Sequence, residues 1–226
     1  MRLGGLLNKP HDLDITRSIF MQGRSPHDYM GALNMSLFLS GNAEDVKSAI
    51  SHGYAAGQVI GTPAEDSKGT DVRIAFDFDG VLADDSSEKI MQKEGLSSFH
   101  NNELEKLNEP MRSGRLKEFL EKINHIQDIE EKLIEEKKKS GKEYSRRVHV
   151  SVVTARNAPA NERVVLVLQK WGVRVNDAFF LGGIEKSAIL DILKPHIFFD
   201  DQMTHLEKTS LRTPSVHVPY GITNES

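Results

Sequence analysis

The stretch VRIAFDFDGV, residues 72–81, decides the fold class of this chain. It starts as an apolar, β-rich run and ends with Asp77 and Asp79 directly before Gly80. Two carboxylates two residues apart on a strand point the same way until the chain turns, and Gly80 permits that turn. Like charges held together at the edge of a sheet are costly unless a cation neutralises them. The stretch therefore predicts a buried strand with an acidic, cation-binding end.

Apolar segments of similar character recur downstream and are separated by helical patterns. We expect helices from Asn161, as the N-cap, through Trp171 and over residues 186–193. Strands that alternate with helices predict an α/β fold with a three-layer, Rossmann-like parallel sheet, and such sheets bind ligands at the carboxyl ends of their strands. The further expected strands are residues 148–154 (VHVSVVT), 178–181 (AFFL), 197–200 (IFFD) and 216–218.

A segment of different character, residues 85–146, interrupts this alternation and is expected to form a mostly helical cap. Its apolar residues recur at spacings of three and four, which indicates an amphipathic helix with a single buried stripe. The Lys/Glu run at residues 130–143 is interpreted as a solvated helical face. The apolar stripe consists of Leu116, Phe119, Leu120, Ile123, Ile126, Ile129 and Leu133.

The cap divides the chain into three predicted regions. The sheet-containing core is residues 71–84 and 147–226, the cap is residues 85–146, and residues 1–70 form an N-terminal segment that packs on the core. Within that segment Asn42 is expected to cap a helix, with Asp45 at its third position. The end of the segment, GTPAEDSKGTD, is typical of a polar linker.

A shift of 160 residues aligns part of the N-terminal segment with the core without gaps. It pairs Phe38 with Phe198 and Ser40 with Asp200. Chance matching of apolar residues and an internal duplication both account for the alignment. In a true duplication the first copy has lost its charged groups and is structural.

The composition is that of a soluble globular protein and excludes several classes of function. Hydrophobic residues make up 38% and charged residues 27% of the 226, which disfavours disorder. A formal net charge of -4 disfavours a broad basic surface for a nucleic acid polymer, and without cysteine the chain has no thiolate metal site or cysteine nucleophile. No apolar run has the length of a membrane helix and the N-terminus lacks a secretory pattern, so a cytoplasmic protein is expected.

A second carboxylate pair, Asp200 and Asp201, follows another apolar strand in the sequence IFFDDQ. Together with Asp77 and Asp79 it supplies hard oxygen donors of the kind that Mg²⁺ prefers. Magnesium typically keeps several waters and accepts a phosphate oxygen. The two pairs therefore predict a magnesium site at the carboxyl edge of the sheet.

Other polar side chains fall near the same edge. Thr154 ends a strand and Lys186 begins a helix, and their hydroxyl and ammonium groups suit phosphate oxygens. His196 and His205 flank the FFDD sequence. These histidines could form a transition-metal site or could serve in packing and loop hydrogen bonds. We favour packing and hydrogen bonds because the carboxylates already account for a metal.

Four motifs in this order resemble those of the haloacid dehalogenase superfamily of phosphotransferases. They are DFDGV (residues 77–81), the threonine of VVTARN (152–157), the lysine of GGIEK (182–186) and FFDDQ (198–202). Longer segments resemble a narrower group, the cytosolic type I 5'-nucleotidases and their bacterial relatives. These include LDITRSIF (13–20), VTARNAPANERV (153–164) and PHIFFDDQMTHLE (195–207).

The resemblance implies a role for each matching residue. Asp77 would attack phosphorus and form an aspartyl-phosphate, and Asp79 would protonate the leaving ribose oxygen and then activate water. Thr154 and Lys186 complete the implied catalytic set. The implied phosphate and substrate contacts are Phe78, Gly80, Thr154, Ala155, Arg156, Asn157 and Lys186. The implied magnesium ligands and their supporting residues are Asp77, the Phe78 carbonyl, Asp79, Asp200 and Asp201.

The implied activity is magnesium-dependent hydrolysis of nucleoside 5'-monophosphates, with no membrane or nucleic acid polymer as a partner. The DFDGV motif is nearer to the general superfamily pattern than to the nucleotidase form, which leaves the preferred nucleotide open. Two alternatives remain: a phosphatase for another small phosphate ester, and a catalytically weak relative that binds nucleotides. A homo-oligomer is compatible with the sequence.

Overall fold

The computed structural model describes residue 19 and residues 26–61 and 69–224. The chain divides into two units, Met1–Met35 and Ser36–Ser226. The described part of the first unit contains a short 3-10 helix at Pro26–Tyr29. Most of the predicted polar linker and the first part of the predicted N-terminal segment lie outside the described residues.

Seven strands of the second unit form one sheet. In spatial order the strands are β1, β2, β7, β6, β3, β4 and β5, and all neighbours are parallel except β2 and β7. This mostly parallel sheet confirms the predicted α/β, Rossmann-like fold. The strands are β1 (Phe38–Ser40), β2 (Ala56–Ile60), β3 (Val72–Phe76), β4 (Val148–Thr154), β5 (Asp177–Phe180), β6 (Ile197–Asp200) and β7 (Ser215–His217).

Seven α-helices accompany the sheet in the described residues. They are α1 (Ala43–Ser51), α2 (Ser86–Glu94), α3 (Leu96–Glu105), α4 (Lys117–Lys139), α5 (Ala160–Trp171), α6 (Lys186–Leu193) and α7 (Met203–Thr209). A 3-10 helix follows at Ile222–Asn224. Among these helices, none combines the length and the apolar character needed to cross a bilayer.

The two predicted helix caps have different outcomes. Asn42 caps α1, and its side chain accepts a hydrogen bond from the backbone N–H of Glu44, so this prediction is confirmed. The predicted cap at Asn161 is wrong, because α5 begins at Ala160 and Pro159 occupies the N-cap position. Asn161 already lies in the first turn, where its backbone N–H donates to the Asn157 carbonyl at 3.0 Å.

One face of the sheet is covered by α6 and α7. Successive residues of a strand point to opposite faces. Ala75 of β3 and Phe198 of β6 belong to a buried cluster that includes Leu190 of α6 and Leu206 of α7. These contacts place both helices on the same side of the central strands.

The opposite face is covered by α4. Phe76 of β3 and Phe199 of β6 stack with their ring centroids 5.1 Å apart. Each meets the ring of Phe119, in α4, edge-on at 6.2 and 6.1 Å respectively. Because Phe76 and Phe199 each follow a residue that faces α6 and α7, the core has three layers, as predicted.

The buried face of α4 differs from the predicted apolar stripe. Leu120 and Ile123 are buried as expected, but the exposed fractions of Ile126 and Ile129 are 50% and 47%. The stripe was therefore wrong at Ile126 and Ile129. In their place the helix buries the polar residues Asn124, Gln127 and Glu130.

This polar face of α4 has backbone partners near the start of β4 and the approach to β5. Asn124 exchanges two hydrogen bonds with the backbone of Arg174, at 2.9 and 2.7 Å, and Gln127 donates to the carbonyl of Val148 at 3.2 Å. The polar side chains buried on α4 thus have hydrogen-bond partners, which is the condition under which such groups are tolerated in a core. Apolar periodicity does not detect a helix face that packs through hydrogen bonds.

Glu130 begins the charged run that the sequence assigns to solvent, but it is 5% exposed. It accepts hydrogen bonds from the hydroxyl of Tyr144 at 3.1 Å and from the backbone N–H groups of Arg147 and Val148 at 2.9 and 3.1 Å. The prediction of a solvated face is therefore wrong for Glu130, whereas residues 135–143 are exposed as expected. The boundaries of the cap, residues 85–146, stay a prediction.

Two strand–helix–strand units, β1–α1–β2 and β6–α7–β7, lie side by side in the sheet. The strands within each unit are parallel neighbours, and the units meet at the antiparallel β2–β7 pair. The two units are thus related as if by a local two-fold axis between β2 and β7. The 160-residue offset aligns Phe38 of β1 with Phe198 of β6, so both segments share one local architecture. Duplication stays a hypothesis.

We predict that Glu130→Ala lowers the free energy of unfolding by about 1–3 kcal/mol, because two partly buried N–H groups and the Tyr144 hydroxyl lose their acceptor. The matched control is Glu136→Ala in the exposed part of the same helix, with an expected change within about 0.5 kcal/mol. Urea unfolding monitored by circular dichroism measures both. Equally small effects for the two variants would contradict an anchoring role for Glu130.

Candidate active site

The carboxyl edge of the sheet brings together the ends of β3, β4 and β6. Phe76 of β3 pairs with Phe199 of β6, and the backbone N–H of Asp77 donates to the Phe199 carbonyl at 2.8 Å. Asp77 directly follows β3, Thr154 ends β4 and Asp200 ends β6. All three residues are buried. The pairing of these parallel strands therefore brings the polar residues together at this edge, as predicted.

Lys186 stands between Asp77 and Asp200. It is the first residue of α6, and its Nζ lies 2.8 Å from Asp77 Oδ2 and 2.7 Å from Asp200 Oδ2. Asp77 also accepts a hydrogen bond from the backbone N–H of Phe78 at 2.7 Å, and Asp200 accepts one from that of Gln202 at 2.8 Å. We call Asp77, Lys186 and Asp200 the charge triad.

Burial and charge act in opposite directions on the pKa values of the triad. Burial raises the pKa of Asp77 to about 6, with a further contribution from the negative charge of Asp200 and partial opposition from Lys186. Burial also opposes ionisation of Asp200, but Lys186 and His205 outweigh it and hold that pKa below its usual value. The two carboxylates hold the pKa of Lys186 above its usual value in spite of burial. The triad carries more negative than positive charge when ionised and favours a further cation.

His205 extends the triad at Asp200. Its Nδ1 lies 3.2 Å from Asp200 Oδ2, a contact of the predicted hydrogen-bonding kind. Asp77, Asp200 and His205 each offer one potential ligand atom, and these atoms lie within 4.8 Å of one another. His196 is placed elsewhere, where its Nδ1 accepts from the backbone N–H of Arg73 at 3.0 Å.

The turn after β3 separates Asp79 from Asp77. The strand ends at Phe76, and Gly80 adopts a φ of +71°. The carboxylate of Asp79 faces Arg156, with Nε to Oδ2 at 2.6 Å and Nη2 to Oδ1 at 2.7 Å. The two acidic residues of the DFDGV motif therefore contact different cations. Because of the turn, their side chains do not point in the same direction.

Asp201 lies beside this turn. A Cβ atom at Gly80 would be 2.4 Å from Asp201 Cγ, so glycine is required both by the backbone conformation and by the close approach of that carboxylate. The backbone carbonyl of Asp201 accepts hydrogen bonds from His217 and Asn224 at 3.1 and 3.0 Å. Asp201 thus joins the turn of β3 to the segment that follows β7.

The predicted substrate-contact residues surround the turn. Thr154 is buried, and its Oγ1 accepts from the backbone N–H of Arg156 at 3.3 Å. Ala155 between them is exposed. Asn157 Oδ1 lies 3.3 Å from His100 Nε2 of α3. Their roles toward a substrate stay predictions.

Phe78 is fully buried, in keeping with a motif that alternates acids with a core residue. Its ring stacks on Trp171 with centroids 6.1 Å apart, and Trp171 is half-buried. Through this contact Trp171 of α5 packs against the DFDGV motif. The guanidinium of Arg156 lies 5.5 Å from the Phe78 ring centroid.

Glu103 of α3 is a buried charged residue that sequence reasoning missed. It pairs with Arg156 and Arg163, the second at 2.8 Å, and accepts from the Ser87 hydroxyl at 2.7 Å. Burial favours its neutral form, but Arg156, Ser87 and Arg163 outweigh this and hold the pKa of Glu103 below its usual value. The available signal was its spacing, because Glu103 lies one helical turn after buried Phe99 on the inward face of α3.

A cavity of about 150 Å³ lies at the amino-terminal ends of β3 and β4, on the opposite edge of the sheet. Its lining includes Asp71, Arg73 and His149, and Arg73 forms an ion pair with Asp71. Because none of the predicted site residues lines it, the cavity is not part of the candidate site.

The sheet and the charge triad are consistent with a Rossmann-like core of the haloacid dehalogenase type. A family model described as 5'-nucleotidase matches residues 7–225. The chain belongs to the 5'-nucleotidase family, which confirms the resemblance found in its motifs.

One curated relative illustrates this membership. Cytosolic 5'-nucleotidase 1B of Homo sapiens is 34% identical over 206 residues, which are 87% of this chain and 32% of that protein. The chain thus spans about a third of the length of this relative. No solved structure matches the chain.

We predict that Gly80→Ala destabilises the protein more than Gly141→Ala does. Gly141 has a similar φ, +67°, but open space around its Cβ position, so alanine there costs only the left-handed backbone, about 1–2 kcal/mol. Alanine at Gly80 adds the clash with Asp201, worth a further ~1–3 kcal/mol. Chemical unfolding measures the difference, and equal losses would show that Asp201 moves away at no cost.

Proposed function

We propose that this protein hydrolyses nucleoside 5'-monophosphates to a nucleoside and phosphate, with Mg²⁺ as cofactor. The observation that carries the proposal is the buried triad of Asp77, Lys186 and Asp200 at the carboxyl edge of the sheet. Family membership and the activity in the name of the human relative support it. The name of that relative also refers to the cytosol, and we place this chain there as part of the same proposal.

The donors at the triad fit a magnesium ion. Two buried carboxylates face a single lysine, and carboxylate oxygens are the ligands that Mg²⁺ prefers. Asp77, Asp200 and the Phe78 carbonyl would hold the ion, with Asp79 and Asp201 beside them. When bound, Mg²⁺ offsets the repulsion between Asp77 and a phosphate, which is about 4 kcal/mol for each pair of unit charges 4 Å apart at an effective dielectric of 20.

Asp77 acts as the nucleophile. One of its carboxylate oxygens forms a bond to phosphorus while the bond between phosphorus and the ribose 5'-oxygen breaks. Lys186 holds Asp77 from one side and attracts the phosphate oxygens as a compact positive charge. Water then attacks phosphorus in the aspartyl-phosphate and releases inorganic phosphate and the free Asp77 carboxylate.

Asp79 carries the proton in both steps. Asp79 enters the first step as the protonated acid and gives that proton to the 5'-oxygen as its bond to phosphorus breaks. The resulting carboxylate then accepts a proton from the attacking water, which restores the acid. Asp79 faces Arg156 across two hydrogen bonds, so it must turn from at least one of them to reach the leaving oxygen.

Phosphate and substrate are bound by residues of the β3 and β4 ends. The Thr154 hydroxyl and the backbone N–H groups of Ala155 and Arg156 surround the developing charge on the phosphate. Gly80 lets the backbone approach, and Asn157 lies at the outer side of this group near α3.

We expect phosphate release to be fastest with nucleoside monophosphates and to be abolished reversibly by EDTA. The assay compares a panel of nucleotides, sugar phosphates and p-nitrophenyl phosphate, with and without Mg²⁺. Faster release from sugar phosphates would favour the alternative ester phosphatase. Nucleotide binding by calorimetry without turnover would favour the weakly catalytic relative. Full activity in EDTA after exhaustive dialysis would remove the metal from the mechanism.

We also predict that Asp79→Asn accumulates phosphorylated Asp77 with p-nitrophenyl phosphate, whose leaving group needs little protonation. The water step lacks its base in this variant, an effect typically worth about 10²–10⁴-fold. Asp77→Asn is the matched control and should form no hydroxylamine-labile adduct. Mass spectrometry detects the adduct, and phosphate found on Asp79 would reverse the assignment.

A further inference from the structure

Glu103 is a fully buried acid that the proposed chemistry does not use. Its side chain comes from α3, between β3 and β4 in sequence, and its two arginine partners come from β4's carboxyl end and from α5. Removing one partner of a buried ion pair leaves an uncompensated charge, so such an arrangement persists only when its geometry is closely matched. Glu103 and its two arginine partners therefore compensate one another's charge within the core.

The guanidinium of Arg156 forms ion pairs on two of its edges. Its Nε and Nη2 atoms bind both oxygens of Asp79, and its Nη1 pairs with Glu103. Nη1 also approaches the Ala160 carbonyl at 3.4 Å. A guanidinium is planar and rigid, so partners on opposite edges determine the orientation of the whole group.

Two aromatic rings complete the setting of this guanidinium. Its Cζ lies 5.5 Å from the ring centroid of Phe78 and 5.3 Å from that of Phe99. Phe99 belongs to α3, one turn before Glu103. The same helix thus contacts Arg156 through a charge and through a ring.

We propose that Glu103 is a positioning residue for Asp79 and acts through Arg156. The inference rests on the proposed function, in which Asp79 carries the proton. Asp79 must leave part of its pairing with Arg156 to reach the leaving oxygen, and Glu103 keeps the guanidinium in place when that happens. Arg156 is then ready to receive Asp79 again for the water step.

The kinetic test compares Glu103→Gln with the unchanged protein on two substrates. In the first displacement, which kcat/KM reports, a misplaced Asp79 matters for a nucleoside monophosphate, whose alkoxide leaving group needs the proton, and little for p-nitrophenyl phosphate. The water step, in which Asp79 is the base for both substrates, affects kcat and not kcat/KM. We expect kcat/KM to fall about 10- to 100-fold for the nucleotide, the range in which remote misplacement affects catalysis. For p-nitrophenyl phosphate we expect kcat/KM to change by less than about threefold.

The matched control is Ser87→Ala. Ser87 donates to Oε1 of Glu103, whereas Arg156 pairs with Oε2, so this variant loosens the environment of Glu103 without removing the Arg156 contact. We expect this variant to have the same ratio of kcat/KM for the nucleotide to kcat/KM for p-nitrophenyl phosphate as the protein without substitutions. A ratio that falls as much as in Glu103→Gln would overturn the proposal, because the effect would then not depend on Arg156.

A double-mutant cycle decides between positioning and general support. In the Asp79→Asn background, Glu103→Gln should change kcat/KM for the nucleotide by less than about twofold, since its route to the reaction is already lost. An effect of the same size in both backgrounds, or an equal loss with both substrates, would overturn the proposal. Glu103→Asp, which keeps the charge, replaces Glu103→Gln in every arm if the latter does not fold.

The same double-mutant cycle can be measured on the free energy of unfolding, which does not require enzymatic turnover. Coupling between Glu103→Gln and Asp79→Asn is expected because both side chains bind one guanidinium, and strictly additive effects would overturn the proposal. If the protein without substitutions has no phosphatase activity, the proposed function is refuted. The double-mutant cycle on the free energy of unfolding would still test whether Glu103 and Asp79 are coupled through Arg156. The two failures are thus distinguishable.

Discussion

The charges of Asp77 and Asp200 are brought together by the pairing of two parallel strands and are held there by the ammonium of Lys186. Because β3 and β6 are direct neighbours in register, their carboxyl ends meet at one edge. Like charges at about 4 Å repel by about 4 kcal/mol at an effective dielectric of 20, and Lys186 offsets this by binding both carboxylates within 2.8 Å. The start of α6 must therefore lie beside β3 and β6. One lysine against two carboxylates also leaves negative charge for a divalent cation.

A second group of charges lies on the other side of the turn. Arg156 joins Asp79 to Glu103, so the acid that follows Phe78 belongs to a network that includes α3. The division follows from the backbone, because β3 ends at Phe76 and the left-handed Gly80 redirects the chain. Under the proposed mechanism the triad serves the nucleophile and metal, while the Arg156 network serves the proton carrier.

Buried polar contacts, as well as apolar ones, join the segment between β3 and β4 to the core. Glu103 meets two core arginines, and Gln127 and Glu130 of α4 bind the backbone at the start of β4. Each of these buried polar groups has a partner, which is the condition under which such groups are tolerated. Apolar α4 residues such as Ile126 remain half-exposed on the other side of the helix.

The sequence by itself determined the parallel core and the location of the acids at strand ends, because buried strands, alternating helices and a glycine turn are local patterns. It also identified Asp77, Lys186 and Asp200 as neighbours, since carboxyl ends of parallel strands share one edge. Only the tertiary structure decided that Asp79 faces Arg156 and that Glu103 and Glu130 are buried. Those outcomes depend on partners 14 to 77 residues away, and a charged side chain carries no local signal of the distant group that will receive it.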